Sequence, residues 1–152
     1  MENEKTIAVL NTLITINNDR IEGYETAAKD VEEQDLKTLF AHFSSTSKTC
    51  KNELTSEISR LGGTAAEGTL NAGKLHRVWM DLKAAITGKD RKAILNSCEF
   101  GEDIAKDTYE KALENDTSNL STEQQTMIKA QHTLLKADHD IIKSMRDLLK
   151  AD

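Results

Sequence analysis

Four helix-spaced stretches of this chain each carry polar side chains where apolar ones would be expected, and these are the groups that could do chemistry. Glu102 offers a carboxylate, His139 an imidazole in the stretch LLKADHDII (residues 134–142), and Cys50 a thiol one turn after Ser47; Asn17 interrupts the first stripe. Oxygen, nitrogen and sulfur donors at one depth in a helical core suit a single zinc or iron ion with water completing the shell. Glu102 and His139 are therefore the candidate metal ligands, with Cys50 a third donor and Glu99, one turn from Glu102, a substitute carboxylate. Three residues before His139, where a metal-binding helix would offer a carboxylate, stands Lys136, and a cation there repels a metal. The competing reading is a buried polar network in which Lys136 pairs with Glu102 and no cofactor is held.

Other chemistry is poorly served. No serine or cysteine has a histidine and an acid in a readable arrangement, and Gly62-Gly63 and Gly68 lack the residues of a phosphate loop. His132 reads as a rim residue and His42 as solvent-facing between Phe40 and Phe43. Trp79, in His76-Arg77-Val78-Trp79-Met80, reads as an anchor for a short helix, or with Met80 as a partner surface.

Bulk composition narrows the partners. The 20 Lys+Arg against 26 Asp+Glu give a formal charge of −6, and no basic block matches a run of phosphates, so nucleic acid is not expected. Lys83, Lys89, Arg91 and Lys92 read as a solvated face. The start MENEKTIAVLNTLITI has acids where a signal peptide needs bases, and Asn11 breaks its apolar run; the expectation is a cytoplasmic protein with no membrane span. Cys50 and Cys98, without C-x-x-C spacing, read as buried thiols.

These side chains need elements to hold them. With no proline, seven glycines and 30% charged residues, long helices are expected and strands are not. Ile7, Leu10, Ile14, Asn17, Ile21, Tyr24, Ala28 and Val31 form one stripe, predicting a helix over about 4–31. Asp35 is positioned to cap a second, about 35–61, with Leu36, Leu39, Phe40, Phe43, Ser47, Cys50, Leu54, Ile58 and Leu61, stopped by Gly62-Gly63. A third runs from about 90 to 115 through Ile94, Cys98, Glu102, Ala105, Tyr109 and Ala112. Ser121 to Gln124 has the form of a capping box opening a fourth, about 121–150, which runs through Met127, Ile128, Leu134, Leu135, Ile142, Met145 and Leu148. Residues 62–89 hold a shorter helix, about 72–87, with Leu75, Val78, Trp79, Leu82 and Ile86 on one side.

Four rods of roughly 40 Å must lie side by side. Short breaks make two antiparallel hairpins, and the long connection between helices two and three can cross the bundle, making those two parallel. The expected fold is one all-α domain over 1–152, a ferritin-like four-helix bundle with a long crossover containing an extra helix. Asn17 and Glu102 each precede a tyrosine by seven residues, with alanines at Ala27 and Ala112 three residues on, as if the hairpins were related halves.

The segments INNDRIEGYETAA, LHRVWMDLKAAITG, NSCEFGEDIAKDTYEKAL and HDIIKSMRDL resemble a bacterial ferritin-like four-helix-bundle family of unknown function, over about Leu10 to Leu148. A more distant resemblance is to rubrerythrin-type di-iron bundles, whose glutamate stands seven residues before a tyrosine. Their ligand pattern maps onto Asn17, Ser47-x-x-Cys50, Glu102 and Lys136-x-x-His139, where only Glu102 and His139 match. The resemblance implies a degenerate metal site in a non-enzymatic binding or stress-associated structural protein, a homo-oligomer of two or more chains. The alternative is a mononuclear metal-binding protein or oxidoreductase of reduced ligand set.

Overall fold

The computed structural model describes residues 2–68 and 74–151. They form α1 (Glu2–Asp30), α2 (Gln34–Arg60), α3 (Lys74–Thr87), α4 (Arg91–Asn115), a 3-10 turn (Thr117–Asn119) and α5 (Thr122–Ala151). No strand occurs among the described residues, and no described helix is long and apolar enough to cross a membrane. The expected start of the crossover helix at 72 lies outside the described residues.

Local chemistry explains most helix ends. Ser121 and Gln124 make the reciprocal capping box, Gln124 N–H donating to Ser121 Oγ (3.0 Å) and Ser121 N–H to Gln124 Oε1 (2.8 Å). Asp90 caps α4 by accepting from Ala93 N–H. α2 ends in paired bonds from Gly62 N–H to Ser59 and Gly63 N–H to Ile58, with Gly62 at φ 82°. Asp35 is not the N-cap of α2, which starts one residue before it; its carboxylate accepts from Leu36 N–H in the first turn and binds Arg91 at the head of α4.

Hydrogen bonds along the bundle fix its topology. Thr6 reaches Asn119, Asn17 reaches Tyr109, and Arg20 reaches Glu102, so α1 and α4 run antiparallel. His42 meets Asp138, Gln131 meets Glu53, and Gln124 meets Glu57, so α2 and α5 are antiparallel too. α1–α2 and α4–α5 are hairpins, which leaves α2 and α4 parallel. The crossover climbs beside α1: Gly63 lies against Ile7, Thr64 and Ala66 bond Asn11, Gly68 bonds Asn18, and Trp79 packs on Gly23. A Cβ on Gly23 would lie 2.4 Å from the Trp79 ring, so α1 needs glycine where α3 docks. Trp79 is the anchor of α3, with Tyr24 edge-on at 5.0 Å.

The core divides in two. One cluster centres on Leu10, Leu13, Ile14, Leu54, Ile58, Tyr109 and Ile128, the other on Tyr24, Phe40, Phe43, Leu36, Leu95 and Ile142. Between them the four long helices contribute polar side chains to a common layer.

Candidate functional site

At the centre of that layer is Arg20, fully buried. Its guanidinium donates in fork geometry to Glu102, Nε to Oε2 at 3.0 Å and Nη2 to Oε1 at 2.7 Å. Nη2 also donates to Asp138 Oδ2 (3.1 Å), and Nη1 to Ser47 Oγ (2.5 Å). One side chain of α1 thereby binds α2, α4 and α5. Tyr24 donates its hydroxyl to Glu102 Oε2 (3.0 Å), and the Tyr24 and Phe43 rings lie 5.5 and 5.9 Å from the guanidinium carbon. Asp138 shows its second oxygen to exposed His42 at 3.2 Å, joining the layer to the surface.

About one turn away along α1, Asn17 donates to Tyr109 Oη (2.8 Å), which donates to Gln131 Oε1 (2.7 Å). Gln131 Nε2 donates in turn to the Cys50 carbonyl and to Glu53. Asn17 Oδ1 is buried with no hydrogen-bond partner.

Burial dominates the electrostatics here. It pushes the Glu102 carboxyl above the usual range against the pull of Arg20. Burial alone would lower Arg20, but the charges of Glu102 and Asp138 hold it more firmly protonated than a free arginine. Burial raises the Cys50 thiol to about 11, and Cys98, Tyr24 and Tyr109 well above their ordinary values. At neutral pH these four groups keep their protons, and none is a ready nucleophile.

Of the expected residues, Asn17, Ser47, Cys50 and Glu102 are all buried; Ser47 and Glu102 meet at Arg20, while Asn17 and the Cys50 carbonyl belong to the neighbouring Tyr109–Gln131 group. The pairing partner differs from expectation. Lys136 is exposed and binds Asp140 (3.1 Å), while Glu102 is taken by Arg20. His139 is half-buried on the α4 side of α5, 2.7 Å from Asp103 and 3.2 Å from Asp140. The register of α5 is the cause: its inward stripe is Gln124, Ile128, Gln131, Leu135, Asp138 and Ile142, so Asp138 enters the core and His139 turns aside toward α4. His139 does have metal-compatible neighbours, its donor atom and those of Glu99 and Asp103 lying within 4.8 Å of one another. Glu102 is not in that group. Arg146 already donates to one Glu99 oxygen, and the other, Oε2, is buried without a partner.

The donors at the bundle centre do not fit a two-metal site. Asn17, Ser47 and the Cys50 thiol replace carboxylates and imidazoles, and a permanent cation sits among the remaining acids. Sequence reading passed over Arg20, Asp138 and Gln131, although each falls at the right spacing once polar residues are admitted to the stripe.

Residues 5–115 match a family described as Domain of unknown function (DUF2383). No curated protein matches the chain.

Proposed function

The chain belongs to the DUF2383 family, and from that membership and its buried layer we propose a metal-free, ferritin-like bundle acting as a non-enzymatic binding or stress-associated structural protein. The observation that carries this is the Arg20 guanidinium between Glu102 and Asp138, a permanent +1 charge tying together the four long helices that in a di-iron bundle are joined by metal. Such a layer fixes helix register, because slipping any one helix strands a buried charge. The lack of an ionised nucleophile among the buried thiols and phenols supports a role other than catalysis. Ferritin-like classification rests on the antiparallel hairpins and the crossover that rises beside α1. The stress association is analogy with the fold, and a bacterial cytoplasm and a homo-oligomeric state belong to the same reading.

The test is metal content. Protein purified from iron- and zinc-supplemented cells, with neither chelator nor affinity tag, is expected to carry far less than one metal per chain by mass spectrometry; two per chain would overturn the proposal.

A second reading, a mononuclear site, is favoured by the convergence of Glu99, Asp103 and His139. One zinc or iron per chain, lost in His139→Ala and kept in Glu102→Gln, would select it.

A further inference from the structure

From Met127 the sequence of α5 repeats every seven residues: MIKAQHT, LLKADHD, IIKSMRD, LLKA. Within each repeat the second and fifth positions, Ile128, Leu135, Ile142 and Gln131, Asp138, enter the bundle. The first and fourth form a separate seam. Its large residues are Met127, Leu134, Ile141 and Leu148, and its small ones Ala130, Ala137 and Ser144. Leu134, Ile141 and Leu148 are 44%, 38% and 68% exposed, three of the five large apolar side chains recorded as exposed among the described residues. α5 thus has two apolar seams, of which the bundle covers one. On the outer face of α2, the helix beside it, Ser45, Thr49, Asn52 and Ser56 are also exposed and uncharged, in a chain with 30% charged residues.

A strict seven-residue period calls for a helical partner, since only a helix supercoiled on α5 stays in step with it. The alternation of large and small residues says which helix. Two copies of α5 laid antiparallel put Leu134 of each on Ala137 of the other, Ile141 on Ala130 and Met127 on Ser144, so one surface complements itself about a two-fold axis. Charge agrees with that direction. Asp140 and Asp147 border the seam in its second half and Thr126 and Thr133 in its first, so antiparallel pairing sets the acids against threonines and Lys129, away from each other. The seam from Met127 to Leu148 is about 32 Å long. Counted on both copies with the adjoining face of α2, it is of the ~1,000 Å² order that a specific interface needs.

We propose that two copies of this chain associate through an antiparallel coiled coil of their α5 helices, Met127, Leu134 and Ile141 of one packing on Ser144, Ala137 and Ala130 of the other. This gives the proposed homo-oligomer a definite surface, and its test is independent of metal content.

Sedimentation of the full chain at about 1 to 100 μM is expected to give twice the chain mass at the upper end. Ala137→Glu, at an exposed position, is expected to keep its helical circular dichroism and sediment as one chain, with Ile141→Glu, also exposed, the second variant should the first not fold. Phe100→Ser, an exposed apolar residue off the seam, is expected to remain a dimer. Spin labels at Thr122→Cys should lie about 40 Å apart in the antiparallel dimer. A monomer at every concentration, a dimer that survives both seam variants, one that dissociates in Phe100→Ser, or labels within 20 Å would each overturn the proposal; survival of both seam variants would leave the oligomer itself standing.

Discussion

Replacing Arg20 with methionine removes the one cation that Glu102 and Asp138 share inside the bundle. Loss of one partner of a buried charge network costs on the order of 3–5 kcal/mol, because the remaining charges stay buried and uncompensated. Arg20→Met should fall in that range in urea unfolding at pH 7. Its pH dependence follows from Glu102, whose carboxyl burial already raises. A carboxyl whose folded pKa exceeds its unfolded value stabilises the fold below the unfolded pKa, about 4.3, and loses that contribution as pH rises through the folded one. The variant should therefore lie closer to wild type at pH 5 than at pH 7; equal deficits at both would contradict the assignment. Replacing Arg20, Glu102 and Asp138 together by Met, Met and Leu should cost little or stabilise by about 1–4 kcal/mol. Counting apolar positions could not find this network. Between Asn17 and Tyr24 the count chose Ile21, which is only half-buried, over fully buried Arg20, because a cation reads as rim until two acids are known to meet it.

At the scale of elements, the contact of α3 with α1 depends on a missing side chain. Gly23→Ala gains up to about 1 kcal/mol of helix propensity. It also puts a methyl within 2.4 Å of the Trp79 ring, and overpacking of that kind costs about 1–3 kcal/mol. A net loss of stability is expected, with a red shift in the fluorescence of the single tryptophan as α3 moves off. The end of α3 offers the opposite change. Lys89, not Gly88, takes the left-handed conformation, φ 54°, where Lys89 and Asp90 N–H donate back to Ile86 and Ala85. Lys89→Gly should stabilise by about 1 kcal/mol, since the exposed 3.5 Å contact with Glu32 that it gives up contributes little. Among the described residues, periodicity located the five α-helices, because long helices with covered faces leave a 3.6-residue signature. It missed which face of α5 turns inward: the seven-residue repeat places apolar residues on two faces, and Leu134 and Leu135 score alike although only Leu135 is buried.

Across the whole molecule, chain direction was legible from connection lengths, since three residues between α1 and α2 permit only a hairpin and the long link before α4 can return along the bundle. What lengths cannot carry is the partition of the core into two apolar clusters with a charged layer between them, or the second seam left uncovered on α5. The two features act on the same helix, the inward seam carrying Asp138 to Arg20 and the outward seam forming the proposed surface for a second copy. If association and folding are linked, the thermal midpoint must depend on concentration, because a partner that binds only the folded chain stabilises it by mass action. Wild type is expected to melt higher as its concentration is raised from about 1 to 100 μM, and Ala137→Glu to melt at one temperature throughout. Arg20→Met should lower the midpoint at every concentration while keeping the upward slope, since its defect lies in the inner layer. A flat wild-type curve would uncouple the outer seam from the fold, and a flat Arg20→Met curve would show that the inner layer positions it.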